Sequence, residues 1–153
     1  MTDTGVIVRP ARLEDAAGVA RLFDGYRQFY GKPSDPQAAE AFLSERLRNG
    51  DSLILIAERN GEKIGFTQLY PSFTSVGMAR TFVLNDLFVA PEGRGAGVAK
   101  ALLDAGATAA REEGAVRLTL STQIENQPAR ALYVKTGWTR DDIFCVYNLN
   151  LTD

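Results

Sequence analysis

The residues best suited to do chemistry lie where an apolar strand, Leu84-Asn85-Asp86-Leu87-Phe88-Val89, meets the glycine-rich run Gly93-Arg94-Gly95-Ala96-Gly97 and then the alanine-rich segment opened by Val98-Ala99-Lys100. A strand, a glycine turn and a helix in that order aim several backbone N–H groups, and the positive end of a helix dipole, at one point beyond the strand. Such a point binds phosphate. Two common phosphate motifs fail the count. In G-x-x-x-x-G-K-[ST], read from Gly93 or from Gly95, the second glycine falls on Val98 or Lys100. In G-x-G-x-x-G the third glycine falls on the same two residues. What remains is Arg94-x-x-Gly97-x-Ala99.

Composition narrows the chemistry further. The chain has 153 residues, enough for one domain with a real core, and a net charge of −2 offers no electrostatic footprint for nucleic acid. No apolar run approaches the roughly 18 residues of a membrane span, and no basic-then-apolar leader is visible, so a cytoplasmic protein is expected. There is no histidine, which removes the commonest general base and the commonest zinc ligand; no metal is expected. Acid–base work falls to Asp, Glu, Lys, Tyr or water. The single cysteine, Cys145, forms no internal disulfide, and its apolar neighbours predict a buried strand position.

The elements that must position these residues follow from periodicity. Val6 to Arg9 predicts a first strand. Leu13 to Tyr30 predicts an amphipathic helix through Leu13, Ala16, Ala17, Ala20 and Phe23. Asp35-Pro36 predicts an N-cap and the first turn of a second helix, carrying Ala39, Phe42, Leu43 and Leu47 to about Asn49-Gly50. Leu53 to Ala57 predicts a buried strand, Asn60-Gly61 a two-residue hairpin turn, and Glu62 to Tyr70 the returning strand. A looser turn at Thr74-Ser75-Val76-Gly77 leads into a long strand, Ala79 to Val89. A helix from Arg94 to Glu113 ends at Gly114, and Val116 to Ser121 is the next strand. Asn126 to Lys135 predicts a short helix stopped by Gly137, and Trp138 to Arg140 and Phe144 to Leu149 predict closing strands. The order β-α-α-β-β-β-α-β-α-β-β implies a single mixed, mostly antiparallel sheet with helices on both faces, an α/β (α+β mixed) fold in one domain over 1–153.

Arg94-x-x-Gly97-x-Ala99 resembles the Q/R-x-x-G-x-G/A signature of the GNAT superfamily, whose members move an acyl group from acyl-coenzyme A to an amine. The element order is also the GNAT order. A second segment, Asn126-x-x-Ala129-x-x-Leu132-Tyr133-x-x-x-Gly137-Trp138, resembles that family's N-x-x-A-x-x-L-Y-x-x-x-G-F, with Trp138 in place of phenylalanine. Asn126 sits at a helix start and Tyr133 seven residues on, nearly the same face two turns later. Taken alone, Asn126 reads equally as a plain N-cap and Tyr133 as a packing residue. Leu69-Tyr70-Pro71-Ser72-Phe73 together with Leu84 to Val89 is similar to GNAT members near the diamine acetyltransferases. Those carry an acidic pair before L-x-V, where this chain has Asn85-Asp86.

The resemblance implies an acetyl-CoA-dependent N-acetyltransferase with the acyl-CoA N-acyltransferase fold, and a homodimer. It implies that Arg94, Gly95, Ala96, Gly97, Val98 and Ala99 hold the pyrophosphate of the co-substrate, with Asn126 beside it. It also implies that the main chain of Leu87, Phe88 and Val89, where the strand parts from its neighbour, meets the pantetheine arm. Acyl transfer further requires a proton to leave the amine and one to reach the leaving thiolate. Tyr133 is the candidate acid, because a tyrosine with a pKa of about 10 keeps its proton at neutral pH. Asp86 is the candidate base, with water as the alternative. Alternation places Asn85 and Asp86 on opposite faces unless a bulge intervenes. On the acceptor side Tyr26 and Tyr30, with Phe29, Tyr70 and Phe73 nearby, are aromatics that beside a carboxylate suit a small cationic amine; each reads equally as a packing residue. A small-molecule primary amine is the expected acceptor, a peptide amine the alternative. A non-catalytic acyl-CoA sensor is the rival class. Lys100 is left between the phosphates and the surface.

Overall fold

The computed structural model describes residues 5–152 and divides the chain into two compact units, Met1–Ser121 and Thr122–Asp153. In the first, strands β1 (Val6–Pro10), β2 (Leu53–Arg59), β3 (Glu62–Thr74), β4 (Ala79–Val89) and β5 (Leu118–Thr119) form one sheet in sequence order. The first four are antiparallel and β5 lies parallel to β4. Asn60 and Gly61 both take positive φ (54° and 78°), the geometry that lets a two-residue turn follow the twist of its strands.

Helices cover both faces of this sheet. Helices α1 (Ala16–Phe29) and α2 (Pro36–Asn49) bury Val19, Leu22, Ala39 and Leu43 against Ile54, Ile56 and Phe66. Helix α3 (Val98–Glu112) sets Val98 and Leu102 against Ala57 and Ile64 on the opposite face. Gly65 permits that approach. A Cβ there would meet Phe88 O at 3.0 Å and the Leu102 and Val98 side chains at 3.2 and 3.3 Å. The Asp35 side chain accepts from Ala38 N (3.2 Å) and caps α2.

Several expectations are corrected. Leu13 belongs to a short 3₁₀ turn before α1 and is exposed, as is Ala17; the buried stripe runs through Ala16, Val19, Ala20 and Leu22. Helix α3 begins at Val98, not Arg94, because Gly95 and Gly97 take φ of +85° and +73° and delay the helical turn. Strand β5 is two residues long, although Val116 N still donates to Arg80 O and Phe82 N to Arg117 O.

The second unit contains α4 (Gln127–Lys135), capped by the Asn126 side chain, which accepts from Ala129 N at 3.2 Å. Neither predicted closing strand is present; residues 138–152 take no regular structure, and Ile143, Phe144, Val146 and Tyr147 are exposed. Alternation alone does not make a strand, which exists only through its ladder. Here the Asp141 carboxylate accepts from the amides of Ile143 and Phe144, and Asn150 Oδ1 from that of Thr152, so local side chains take amides a ladder would use. Cys145, expected buried, is exposed.

Candidate active site

The glycine-rich turn is built as a donor nest. Gly93 N donates to Ala90 O (2.8 Å), closing a 3₁₀ turn at Pro91–Gly93, and the left-handed glycines then swing the chain into α3. Among the described residues, the amides of Gly95, Ala96, Gly97, Val98, Ala99 and Lys100 have no acceptor. Six free donors stand at the positive end of a 15-residue helix, an arrangement whose chemistry suits an anion. Arg94 does not extend outward from it. Its Nε donates to Val89 O at 3.0 Å and its guanidinium lies 5.9 Å from the centre of the Phe88 ring. Lys100 pairs with Asp104 (2.8 Å) one turn along the exposed helix surface.

Beside the nest, β4 carries main chain that β5 does not pair. Strand β5 pairs with β4 only at Phe82 and Val83. Ala90 N donates to Ile64 O, so alternation turns the N–H and C=O groups of Leu87 and Val89 away from β3, toward the edge that β5 leaves uncovered. These groups belong to the backbone, while the Leu87 and Val89 side chains pack under α3 and the Phe88 side chain under α1 and α2. Core and contact roles therefore coexist in one strand.

Asn85 and Asp86 are the point where the ladder shifts. Gln68 opposes Asp86 and Leu69 opposes Leu84, which leaves Asn85 as the extra residue of a β-bulge. The bulge is the condition under which both side chains can serve one place. Asn85 is exposed, Asp86 is 2% exposed, and Asn85 Nδ2 donates to Asp86 Oδ1 at 2.8 Å. Burial pushes the Asp86 carboxyl above the usual aspartate range, opposed by hydrogen bonds from Asn85 and Gln68 and by the nearby Tyr26 hydroxyl. The Tyr26 hydroxyl proton goes to Asn85 O (3.1 Å). Burial and the Asp86 charge push the Tyr26 phenol far up and that of Tyr70 to about 12, so both keep their protons.

An aromatic wall adjoins this carboxylate. Tyr26 packs edge-on against Tyr30 (5.2 Å between centroids), Phe66 (6.0 Å) and Phe88 (6.5 Å), and Phe29 meets Tyr30 at 5.2 Å. Phe29 and Tyr30 are exposed, so two rings of the set face solvent. Phe73 stands apart, with Arg80 4.8 Å from its centroid. The structure thus brings together Tyr26, Tyr30, Tyr70, Asn85 and Asp86. Asn126 and Tyr133 belong to the second unit, where the Asn126 side chain is half-buried as the cap of α4 and the Tyr133 ring lies 6.1 Å from that of Trp138.

Sequence reasoning missed Gln68. Its fully buried side chain donates from Nε2 to Asp86 Oδ2 at 2.6 Å. The available signal was a glutamine inside the run Ile64-Gly65-Phe66-Thr67-Gln68-Leu69, where an amide has to find buried partners.

An antiparallel sheet with a partly unpaired strand beside free helix-start amides is the frame, and the comparisons with known proteins identify it as that of an acyltransferase enzyme. Residues 19–138 match the Acetyltransferase (GNAT) family. The chain is 52% identical over 144 residues to the uncharacterized N-acetyltransferase YhfO of Bacillus subtilis (strain 168), covering 94% of this chain and 97% of that one. The crystal structure of a probable acetyltransferase matches with a TM-score of 0.90 at 40% identity, over 96% of this chain and 99% of the other. The ribosomal-protein-alanine N-acetyltransferase from Brucella melitensis biovar Abortus 2308 matches with a TM-score of 0.78 at 25% identity, over 95% and 99%. The chain belongs to the GNAT acetyltransferase family.

Proposed function

We propose that this protein transfers an acetyl group from acetyl-CoA to a primary amine of a small molecule by direct attack of the amine on the thioester. The observation that carries the reading is the set of acceptor-free amides from Gly95 to Lys100 next to the stretch of β4 that β5 does not pair. A diphosphate on the nest would run its pantetheine arm past the outward main-chain groups of Leu87 and the Val89 N–H; the Phe88 N–H and C=O face β3, and Val89 O is taken by Arg94. In this reading the arm adds a short strand's worth of hydrogen bonds, and an outward N–H stabilises the negative charge growing on the thioester oxygen.

The amine loses a proton to Asp86, directly or through water, as the C–N bond forms. The C–S bond then breaks, and the departing sulfur takes a proton from Tyr133. A carboxylate whose burial raises its proton affinity is the better base toward an ammonium group. Tyr26, Tyr30 and Asn85 form the acceptor side, their aromatic faces favouring a cation. The protein works as one domain spanning both units, which the family match across residue 121 supports. We further propose a cytoplasmic homodimer. Among the described residues no helix is long and apolar enough to cross a membrane.

Isothermal calorimetry with coenzyme A, ATP and NAD tests the nest: heat with coenzyme A alone supports the reading. Turnover of acetyl-CoA with a panel of amines then separates enzyme from sensor. A peptide amine is the second reading, favoured by the likeness to the ribosomal-protein-alanine enzyme. N-terminal alanine peptides in the panel decide between the two.

A further inference from the structure

Gln68 lies near the middle of β3 between Thr67 and Leu69, all three fully buried. A primary amide in such surroundings needs partners at both ends. Nε2 donates to Asp86 Oδ2 (2.6 Å), and Oε1 accepts from Ser52 Oγ (2.9 Å), a half-buried hydroxyl just before β2. With Ser52 donating to the oxygen end, the amino end is left for Asp86, and an ionised carboxylate can only accept. The reversed amide would set oxygen against oxygen.

The surroundings of Asp86 make this contact matter. The titratable groups facing it are Tyr26 of α1 and Tyr70 of β3, both held protonated. Arg46 of α2 and Asp51 act on Tyr70, and among the described residues no cation forms an ion pair with Asp86. That charge rests on neutral donors. Of the two amides among them, Asn85 is exposed to water and Gln68 is not.

We infer that Gln68, pinned by Ser52, is a positioning residue that keeps the Asp86 carboxylate ionised and fixed in one orientation. The inference rests on the proposed reading of Asp86 as the base, but its first test does not depend on turnover. The Asp86 carboxyl is titrated by carbon-13 NMR in the full-length protein and in Q68L, S52A and S52T. In parallel, kcat/KM is followed against pH with acetyl-CoA and 1,4-diaminobutane.

Loss of a buried donor to a charged group predicts a midpoint about one pH unit higher in Q68L. S52A should give a smaller rise, and S52T, which keeps the hydroxyl, should return to the parent value. The acid limb of kcat/KM moves with the midpoint, while KM for acetyl-CoA stays. If Q68L does not fold, the half-buried S52A against S52T carries the test. Midpoints that stay put in the folded variants overturn the inference. A midpoint that moves without the acid limb upholds the role of Gln68 and removes Asp86 from the base role.

Discussion

Arg94 Nε donates to the Val89 carbonyl at 3.0 Å, joining the first residue of the turn signature to the last residue of β4. The same guanidinium lies over the Phe88 ring. Arg94 therefore braces the donor nest against the strand edge, in addition to any charge it offers a phosphate. Replacing it with alanine is expected to lower stability by about 1 kcal/mol and weaken coenzyme A binding roughly tenfold. Melting curves and calorimetry check both. A loss of affinity that high salt abolishes, with stability unchanged, would mean that charge alone matters.

Gly97 has φ of +73° and open space where a Cβ would stand, so substitution there costs backbone strain rather than a clash. Gly97→Asp adds strain of about 1–3 kcal/mol and a negative charge at the proposed anion site. Coenzyme A binding should fall at least about 100-fold, roughly 2.7 kcal/mol, in calorimetry on folded material. Normal affinity would sink the phosphate assignment.

Tyr133→Phe removes one hydroxyl. If that hydroxyl protonates the leaving sulfur, kcat should fall on the order of 100-fold, with coenzyme A affinity retained. Steady-state kinetics beside calorimetry make the comparison, and unchanged kcat would return Tyr133 to a packing role.

Asp86 is buried and its pKa is raised, which fixes two signs. Because the folded state holds the proton more tightly than the unfolded state, this group's contribution to stability is complete below the ordinary aspartate pKa of about 3.9 and is lost as pH rises through the folded value. Parent stability should therefore decline as pH rises through the folded value of Asp86, and that decline should be absent in Asp86→Asn. The parent's acid limb in kcat/KM should lie above the ordinary aspartate range and vanish in the variant. A limb that survives Asp86→Asn points to water as the base.

Asp15 has the opposite sign. It accepts two hydrogen bonds from Arg9 (2.8 and 2.9 Å) and one from the Arg12 amide, with Lys63 at 3.4 Å, while Arg9 also binds Glu58. Its carboxyl is held well below the usual range, first by Arg9. The stability it adds is present above about pH 4 and is lost as pH falls through the folded value. Asp15→Asn should cost about 2 kcal/mol at pH 7, and in denaturant titrations the difference should narrow progressively as the pH falls below about 4 toward the folded value.

The parts legible from sequence were those fixed by neighbours along the chain. Asn60-Gly61 read as a tight turn because both residues tolerate positive φ, and Asp35 and Asn126 read as caps because their side chains reach amides three residues on. Gly95 and Gly97 read as a donor turn for the same reason. The helical stripe was shifted at Ala17, because a small residue fits either side of a helix and leaves its facing undetermined, while Leu13 fell in the 3₁₀ turn before the helix.

By itself, then, the chain's sequence determined which helices and strands fill the first 121 residues and their order, where a glycine turn frees backbone amides, and which family's signatures are spelled. Register, burial and strand partnership were settled only in three dimensions. Asn85 became a bulge because of where Gln68 and Leu69 pair, Asp86 became a buried carboxylate because of what packs over it, and residues 138–152 stayed irregular although their pattern alternates. The physical reason is range. Caps and turns are satisfied within a few residues, whereas a ladder bond or a desolvated charge depends on groups brought together from distant parts of the chain.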